Sequence, residues 1–363
     1  MLFVAAHLGK GGGLALQMFQ MYKAMRREVE AEWMCLDAEG PHRYLHEEPG
    51  VRIVGKLSFP KGIGELRRAL KAAKGSFDIA QVIDSYYALP AAYLARTWPR
   101  VVHFGTDPAF EMGGRYGIGA SAAIRLSMPV LLAGTRLVVN SKALASRMSG
   151  YSPMVIPNGV DFHRFDNLPP REVARKKLNL PADKTITVTV CKVIALKRTE
   201  WVLEVARQVP QIHAVIVGGF TEEHYGDSYY RELLSRYPDV ADRVTFTGEM
   251  PSSKVDEYLA ASDIFAFPSS FEGLPNAVME GMAAGLPVVA SDIPPHRELI
   301  REGEQGYIVR DPGEMARAVR ELAGDEGLRR RMGAKGKSFI KQTMSIETVA
   351  NAYLDVYRSL LGT

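Results

Sequence analysis

The chain alternates short apolar runs with longer amphipathic ones, and glycine or proline marks many of the junctions. Short apolar runs bounded by turn residues predict buried strands, and apolar positions that recur every three to four residues predict helices. In the first half, strands are predicted at Leu2–Ala6, Glu32–Leu36, Val51–Val54, Ile79–Ile83, Val101–Phe104, Leu137–Ser141 and Met154–Pro157. Helices are predicted between them at about residues 14–27, 62–74, 86–96, 120–132 and 142–148. This alternation indicates a parallel sheet with helices on both faces.

The second half repeats the same alternation after a polar, proline-containing segment, DNLPPREVARKK, at residues 166–177. Strands are predicted at Ile186–Cys191, His213–Val217, Val244–Gly248, Ile264–Phe267 and Pro287–Ala290, and helices at about residues 199–209 and 275–284. An amphipathic helix, Ile346–Leu361, follows near the end of the chain. The pattern therefore predicts an α/β protein of two domains, residues 1–165 and residues 166–344.

Composition agrees with a soluble globular protein of two domains. The 363 residues are 47% hydrophobic and 24% charged, which suits two ordinary globular domains. The two cysteines, Cys35 and Cys191, lie in apolar stretches without metal-site spacing, so a reducing compartment is expected. No long apolar run predicts a transmembrane helix, and the N-terminus does not resemble a signal peptide. We therefore expect a cytoplasmic protein, and peripheral binding at the inner face of a membrane stays open as a second interpretation.

The net charge of +4 is unevenly distributed. Residues 1–165 hold 20 Lys and Arg against 13 Asp and Glu, a net charge of +7, and the remainder has a net charge of −3. One face of the helix predicted at residues 62–74 carries four of these cations: Arg67, Arg68, Lys71 and Lys74. Two interpretations stay open, an ordinary solvated face or a surface for anionic lipid or a lipid-linked acceptor. No nucleic acid partner is expected.

The most informative stretch is Phe265–Ser291, FAFPSSFEGLPNAVMEGMAAGLPVVAS. It predicts a strand, a Gly/Pro loop, a helix that begins near Pro275 and ends before Gly285, and a second strand. Backbone N–H groups at a helix N-terminus favour phosphate. Two carboxylates, Glu272 and Glu280, lie beside this helix start, and a site that binds phosphate alone would not need them. Because ionised carboxylates only accept hydrogen bonds, they suit sugar and ribose hydroxyls.

The pattern S-x-x-E-G-x-P-x-x-x-x-E-x-M-A-x-G-x-P-V-V-A-S-D in this stretch resembles the donor site of retaining GT-B glycosyltransferases of family 4, also called glycosyl transferases group 1. The resemblance implies that Glu272 contacts the donor sugar and Glu280 the ribose hydroxyls. The simpler alternative is that both are solvated charges near a helix N-terminus. The resemblance also implies the GT-B fold, two Rossmann-like domains with parallel sheets facing across a cleft. Residues 345–363 would return to complete the first domain.

Lys192 and Lys197 lie on the loop after the strand Ile186–Cys191. Family members usually have Arg and then Lys here, and both hold the donor diphosphate. Lys192 keeps the charge but lacks the bidentate guanidinium. Since the sequence has no Asp-x-Asp triplet for a metal, these cations and the amides of Gly273, Leu274 and Asn276 would stabilise the leaving group. By the same resemblance, Glu249 and Met250 would frame the nucleobase.

In the first domain, the resemblance implies roles for the first glycine loop and for one strand end. Gly12 and Gly13 would let the backbone approach the donor phosphates and the acceptor. His103, near the end of the strand Val101–Phe104, would lie near the donor phosphate as a catalytic residue. The glycine-rich segment Glu111–Ser121 is compatible with an acceptor-side loop. The segment Ile156–Phe165, IPNGVDFHRF, resembles the family's hinge-proximal signature and is interpreted as structural.

These features predict an enzyme that moves a sugar from a nucleotide-diphosphate sugar to an acceptor hydroxyl, without cofactor or metal. A UDP-sugar is favoured as donor, with GDP-mannose possible, and the acceptor would be a glycan or a lipid-linked molecule. Cell-envelope polysaccharide or glycolipid synthesis is the expected setting. Three alternatives stay open: another GT-B enzyme such as an epimerase or phosphorylase, a non-catalytic nucleotide-sugar-binding subunit, and an NAD-dependent dehydrogenase. The last is the weakest because no G-x-G-x-x-G occurs.

Overall fold

The computed structural model describes residues 1–8, 13–37, 43–83, 87–97, 100–220 and 227–362. They divide into two compact units. The first contains Met1–Gly159 and Ile346–Thr363, and the second contains Val160–Ser345. Gly12, predicted to approach the donor, lies outside the described residues.

The first unit is built on a parallel sheet of seven strands in the order β3-β2-β1-β4-β5-β6-β7. The strands are β1 (Leu2–Val4), β2 (Glu32–Asp37), β3 (Val51–Lys56), β4 (Ala80–Ile83), β5 (Arg100–Phe104), β6 (Arg136–Val139) and β7 (Met154–Val155). The helices are α1 (Gly13–Met25), α2 (Lys61–Ala72), α3 (Ala88–Ala95), α4 (Pro108–Tyr116), α5 (Ile118–Leu131) and α6 (Lys142–Arg147), joined by the C-terminal helix Ile346–Leu361. Reversal of the strand order beside β1 is the Rossmann arrangement.

The second unit repeats the arrangement with six parallel strands in the order β10-β9-β8-β11-β12-β13. The strands are β8 (Thr185–Val190), β9 (Ile212–Val217), β10 (Val244–Phe246), β11 (Ile264–Phe267), β12 (Val288–Ser291) and β13 (Gly306–Val309). Its helices are α7 (His163–Asp166), α8 (Arg171–Lys177), α9 (Glu200–Gln208), α10 (Ser228–Arg236), α11 (Ser252–Ala261), α12 (Asn276–Ala283), α13 (Pro294–Leu299), α14 (Pro312–Gly324) and α15 (Glu326–Met344). The C-terminal helix is α16.

Each sheet has an apolar cluster on both faces, as expected for parallel strands covered by helices. In the first unit, Trp33 stacks on Phe3 with ring centroids 5.6 Å apart, and Tyr22 of α1 packs edge-on against both rings. Helix α16 packs on the same face, where Tyr353 and Tyr357 are buried. Its amphipathic sequence is therefore explained by burial against α1 and the sheet.

The units divide six residues earlier than the predicted boundary at residue 165. Val160 and Phe165 are buried in the core of the second unit, and the backbone N–H of Val160 donates to the carbonyl of Met344 at 2.8 Å. The hinge-proximal signature thus ends inside the second unit, because its apolar side chains pack there.

The segment Glu111–Ser121, for which a loop was one interpretation, is mostly helical. It forms the end of α4 and the start of α5, with Gly117 (φ +86°) between them. Asp107 caps α4 by accepting hydrogen bonds from the backbone N–H groups of Ala109 and Phe110. The glycines therefore serve a tight helix–helix junction in place of an extended loop.

Candidate donor site

The donor-site candidates of the second unit lie after parallel strands, and so at the carboxyl edge of one sheet. Strand β8 pairs with β9 and β11, β9 also pairs with β10, and β11 also pairs with β12, all in parallel. Ligands of open α/β sheets bind beyond this edge, near the point where the strand order reverses. Here that point lies between β8 and β11, the strands that precede Lys197 and Glu272.

Helix α12 begins after the loop that follows β11, as predicted. Pro275 is its N-cap and Gly285 follows its end with φ +84°. The helix packs tightly on the sheet: a Cβ at Gly281 would lie 2.6 Å from Cδ2 of Phe265. This contact fixes the position of Glu280 next to it, while Glu272 lies on the loop before the helix. The two carboxylates therefore flank a helix N-terminus whose dipole favours anions.

Lys197 and Glu272 form an ion pair with Nζ 2.5 Å from Oε1. Both side chains are mostly buried, with 19% and 13% of their surface exposed. The ammonium group also lies over the ring of Phe267, 5.6 Å from its centroid. Two hydrogen bonds hold the loops of the pair together, since the backbone N–H and the hydroxyl of Ser270 both donate to the carbonyl of Leu196, at 2.9 and 2.8 Å.

Lys192 lies on the same loop as Lys197, and it is exposed. The loop is joined to the end of β9, where the N–H of Val193 donates to the carbonyl of Gly219 at 2.8 Å. Gly218 must be glycine here, because it has φ +147° and a Cβ would lie 1.9 Å from the carbonyl oxygen of Cys191. The close backbone contact therefore places Lys192 beside the Gly218–Gly219 turn.

Glu249 and Met250 follow β10 next to the same turn. Gly218 and Gly248 form an isolated β-bridge, and a Cβ on Gly219 would contact the Cβ of Glu249 at 3.4 Å. Glu249 is exposed, whereas Met250 packs partly against the core. The predicted nucleobase residues and Lys192 therefore lie on neighbouring loops of one edge.

Glu280 is held by an arginine that sequence reasoning did not assign to the site. Nη1 of Arg164 donates to Oε1 of Glu280 at 2.6 Å, and its other two nitrogens donate to Asp256. Burial alone would lower the pKa of Arg164, but the carboxylates of Glu280 and Asp256 outweigh it and raise the pKa. Only the fold brings the three residues together, so no local sequence signal marks Arg164.

His296 is a second residue that the sequence did not reveal. Its imidazole is fully buried, Nδ1 donates to the carbonyl of Ser291 at 2.7 Å, and the ring packs edge-on against Phe267 at 5.7 Å. Burial lowers its pKa to about 4, although the Ser291 carbonyl and the nearby Glu272 act in the opposite direction. The ring is therefore neutral and supports the strand end beneath the Lys197–Glu272 pair. Helix α13 begins at Pro294, three residues after this strand end.

The first-unit candidates are placed differently. Gly13 begins α1, after the undescribed Gly12. His103 is 1% exposed, and its Nδ1 makes a short hydrogen bond with the hydroxyl of Tyr353. Burial lowers the pKa of His103 to about 3, so the ring is neutral. The buried ring joins β5 to α16 within the first unit, and the role of His103 near the donor phosphate stays a prediction.

No group of three or more His, Cys, Asp or Glu side chains in the described part of the chain could hold a metal ion. None of the helices seen in the described ranges combines the length and the apolar character needed to cross a membrane.

Comparison with known proteins also concerns the second unit. Residues 170–339 match the family described as glycosyl transferases group 1. The chain is 30% identical over 190 residues to the lipopolysaccharide core biosynthesis glycosyltransferase LpsE of Rhizobium meliloti, covering 52% of the chain and 54% of LpsE. The matches span about half or less of the length of the first four curated relatives.

Solved structures share the fold over the whole chain. Sucrose-phosphate synthase from Thermosynechococcus elongatus aligns with this chain at a TM-score of 0.82 and a sequence identity of 20%. Anabaena HepE, in a complex with UDP and glucose, aligns at a TM-score of 0.82 and a sequence identity of 21%. Each alignment covers 99% of both chains. The predicted fold class is thereby confirmed as α/β with two Rossmann-like domains, GT-B. The match to the glycosyl transferases group 1 family covers residues 170–339 of the chain.

Proposed function

We propose that this protein is a retaining glycosyltransferase that moves a sugar from a nucleotide-diphosphate sugar to an acceptor hydroxyl. The observation that carries the proposal is the Lys197–Glu272 ion pair beside the N-terminus of α12, inside the matched family domain. A buried cation and a carboxylate at this sheet edge suit the two parts of such a donor, its diphosphate and its sugar. A UDP-sugar is the favoured donor, because HepE binds UDP and glucose on the same fold. GDP-mannose is the second donor to test.

In the proposed orientation, the donor lies along the carboxyl edge of the second unit's sheet. Lys192, Lys197 and the backbone amides of Gly273, Leu274 and Asn276 would hold the diphosphate. Glu272 would accept hydrogen bonds from the donor sugar and Glu280 from the ribose. Glu249 and Met250 would border the nucleobase.

The proposed reaction depends on cations that stabilise the leaving group, and it needs no side chain as a general base. The bond from the sugar's anomeric carbon to the diphosphate oxygen breaks, and the acceptor oxygen bonds to the same carbon on the same face. The acceptor's proton passes to the departing phosphate, so no side chain has to remove it. Lys192 and Lys197 offset the charge that develops on the diphosphate. We propose that no metal is required, which unchanged turnover in excess EDTA would support.

A thermal-shift screen against UDP, GDP and ADP and their sugars tests the donor proposal. At least one nucleotide sugar should raise the melting temperature, and Lys197→Ala and Glu272→Ala should reduce that shift. If no nucleotide sugar raises the melting temperature, the proposed donor site is wrong. The anomeric configuration of the product, read by NMR, tests retention, and phosphate-dependent turnover would instead indicate a phosphorylase.

For the acceptor, we propose a glycan or lipid-linked molecule in cell-envelope polysaccharide synthesis, by analogy with the role in LpsE's name. The four cations predicted to share a face are all exposed: Arg67, Arg68 and Lys71 lie on α2, and Lys74 lies two residues after its end. Helix α5 exposes Ile118, Leu126 and Val130, with 89%, 80% and 54% of their surface accessible. Exposed cations together with exposed apolar side chains in the first unit suit contact with an anionic membrane surface.

A further inference from the structure

Arg164 lies on α7, a few residues after the second unit begins at Val160. Its guanidinium contacts two carboxylates from two different helices, Asp256 of α11 and Glu280 of α12. All three side chains are largely buried, with 17%, 11% and 18% of their surface exposed. A partly buried cation between two carboxylates is held much more firmly than a surface ion pair.

The guanidinium of Arg164 makes two different contacts, one that anchors it and one that orients Glu280. Asp256 takes two of its nitrogens, with Nη2–Oδ1 at 2.7 Å and Nε–Oδ2 at 3.3 Å. This bidentate contact fixes the plane of the guanidinium. Nη1 is then directed at Oε1 of Glu280, at 2.6 Å. Among the described residues, this is the one hydrogen bond made by the Glu280 side chain, so the carboxylate's orientation depends on Arg164.

Asp256 also connects this cluster to the loop proposed to border the nucleobase. It lies on α11, the helix that begins at Ser252 directly after Glu249, Met250 and Pro251. Helix α11 and the carboxylate of Glu280 on α12 are therefore linked through one guanidinium. A displacement of Arg164 would disturb both sides of a nucleoside bound there.

We propose that Arg164, anchored by Asp256, is the positioning residue of the ribose site. It holds Oε1 of Glu280, so that Oε2 is left to accept hydrogen bonds from the ribose hydroxyls. The inference rests on the proposed function, because it assumes that Glu280 binds ribose. It adds that ribose recognition is set by a residue outside the matched family domain, which begins at residue 170.

The test compares the affinity of UDP with that of 2′,3′-dideoxy-UDP by calorimetry, or the matching GDP or ADP pair if the donor screen selects another base. In the wild-type protein, the ribose form should bind about 10-fold or more tightly, as expected for a hydrogen bond to a charged group. Arg164→Met should remove most of this preference, by weakening the ribose form and leaving the dideoxy form nearly unchanged. Arg164→Lys should restore it in part at most, because an ammonium group lacks the fork that contacts both carboxylates.

Two further variants separate positioning from folding. Asp256→Asn keeps the contact between Arg164 and Glu280 but weakens the anchor, so the preference for ribose should fall without being lost. Arg207→Met removes another bidentate pair of the same unit, with Asp239 at 2.6 and 2.7 Å, and should leave the preference unchanged. Melting temperatures show whether each variant is folded.

The outcomes distinguish this inference from the function on which it rests. If wild-type protein binds both nucleotides equally, Glu280 does not bind ribose, and that part of the proposed function fails. If the wild-type preference is present and Arg164→Met and Asp256→Asn both keep it in full, Arg164 is not a positioning residue, although the donor site stands.

Discussion

The ammonium group of Lys197 lies 2.5 Å from a carboxylate oxygen of Glu272, a residue 75 positions further along the chain. The pair joins the loop after β8 to the loop after β11, two neighbouring parallel strands. Since both side chains are mostly buried, each compensates the other's charge while no ligand is bound. A bound diphosphate sugar would compete for both, with its phosphate toward Lys197 and its hydroxyls toward Glu272.

Lys197→Met should lower kcat/KM by about 100-fold or more, because it removes a cation that offsets the leaving group's charge. Glu272→Gln should also lower kcat/KM, and the double variant should lose less than the product of the two single losses, since the residues contact each other. Initial rates with the donor found in the screen provide the measurement.

Lys177→Met is the matched control for the lysine. Lys177 makes an ion pair with Glu257 at 3.0 Å in the same unit, but it is exposed and belongs to helix α8, which precedes the first strand of the sheet. Its replacement should leave kcat/KM within about twofold, as expected for a surface pair worth little. Equal losses in the Lys177 and Lys197 variants would remove Lys197 from the proposed site.

Gly333→Ala should destabilise the second unit by about 1–3 kcal/mol, the usual cost of overpacking. A Cβ at Gly333 on α15 would lie 1.9 Å from the carbonyl oxygen of Gly285, the residue that follows α12. Because both atoms belong to backbone, neither can move aside without shifting a helix. Urea unfolding measures the change in the free energy of unfolding.

Gly324→Ala serves as the comparison, since a Cβ there meets no atom within 4 Å and the residue ends α14. Alanine should be neutral or stabilise the helix by up to about 1 kcal/mol. A Gly333→Ala protein as stable as Gly324→Ala would show that α15 does not pack on the end of α12 as described.

The stability of the first unit should fall as the pH is lowered from about 6.5, because His103 is buried in its neutral form. Its pKa is lowered from 6.5 to about 3 by burial. The stabilisation is complete above the unfolded-state pKa and is lost progressively as the pH falls toward the folded-state pKa, by up to ~1.4 kcal/mol per pH unit. Urea unfolding at pH 7.5, 6.5 and 5.5 measures this slope.

His103→Gln should flatten that slope, because it removes the proton that the unfolded chain takes up. The pKa of His296 in the second unit is lowered to about 4, so His296→Gln should likewise flatten the pH dependence of that unit's stability. His163→Gln is the control, since the ring of His163 is 74% exposed. A slope that His103→Gln leaves unchanged would contradict a buried, neutral His103.

Vesicle co-sedimentation tests the proposed membrane contact. Binding to anionic vesicles should fall steeply with salt, and it should be lost when four exposed cations on α2 and directly after it are changed to Gln together: Arg67, Arg68, Lys71 and Lys74. The control changes four exposed cations of α15 in the second unit: Arg331, Lys335, Lys337 and Lys341. If both sets reduce binding equally, the attraction is not specific to α2.

Much of the fold followed from local patterns, because all the described strands except β13 are marked by a short apolar run and its turn residues, whereas several helices of the second unit were not predicted. The run Phe265–Ser291 gave the strand, the loop, the helix and the left-handed Gly285 in the right order. Local patterns predicted less well where glycine has two possible uses. In Glu111–Ser121 the glycines belong to a helix–helix junction, and their frequency alone could not distinguish that from a loop.

By itself, the sequence determined two alternating α/β units and the residue types at the second sheet's edge, because strand periodicity and loop positions are encoded locally. Only the tertiary structure decided which polar side chains meet: Lys197 with Glu272, Arg164 with Asp256 and Glu280, and His103 with Tyr353. These partners lie 75, 92, 116 and 250 residues apart. Contacts at such separations depend on strand order and helix packing, which no short stretch of sequence specifies.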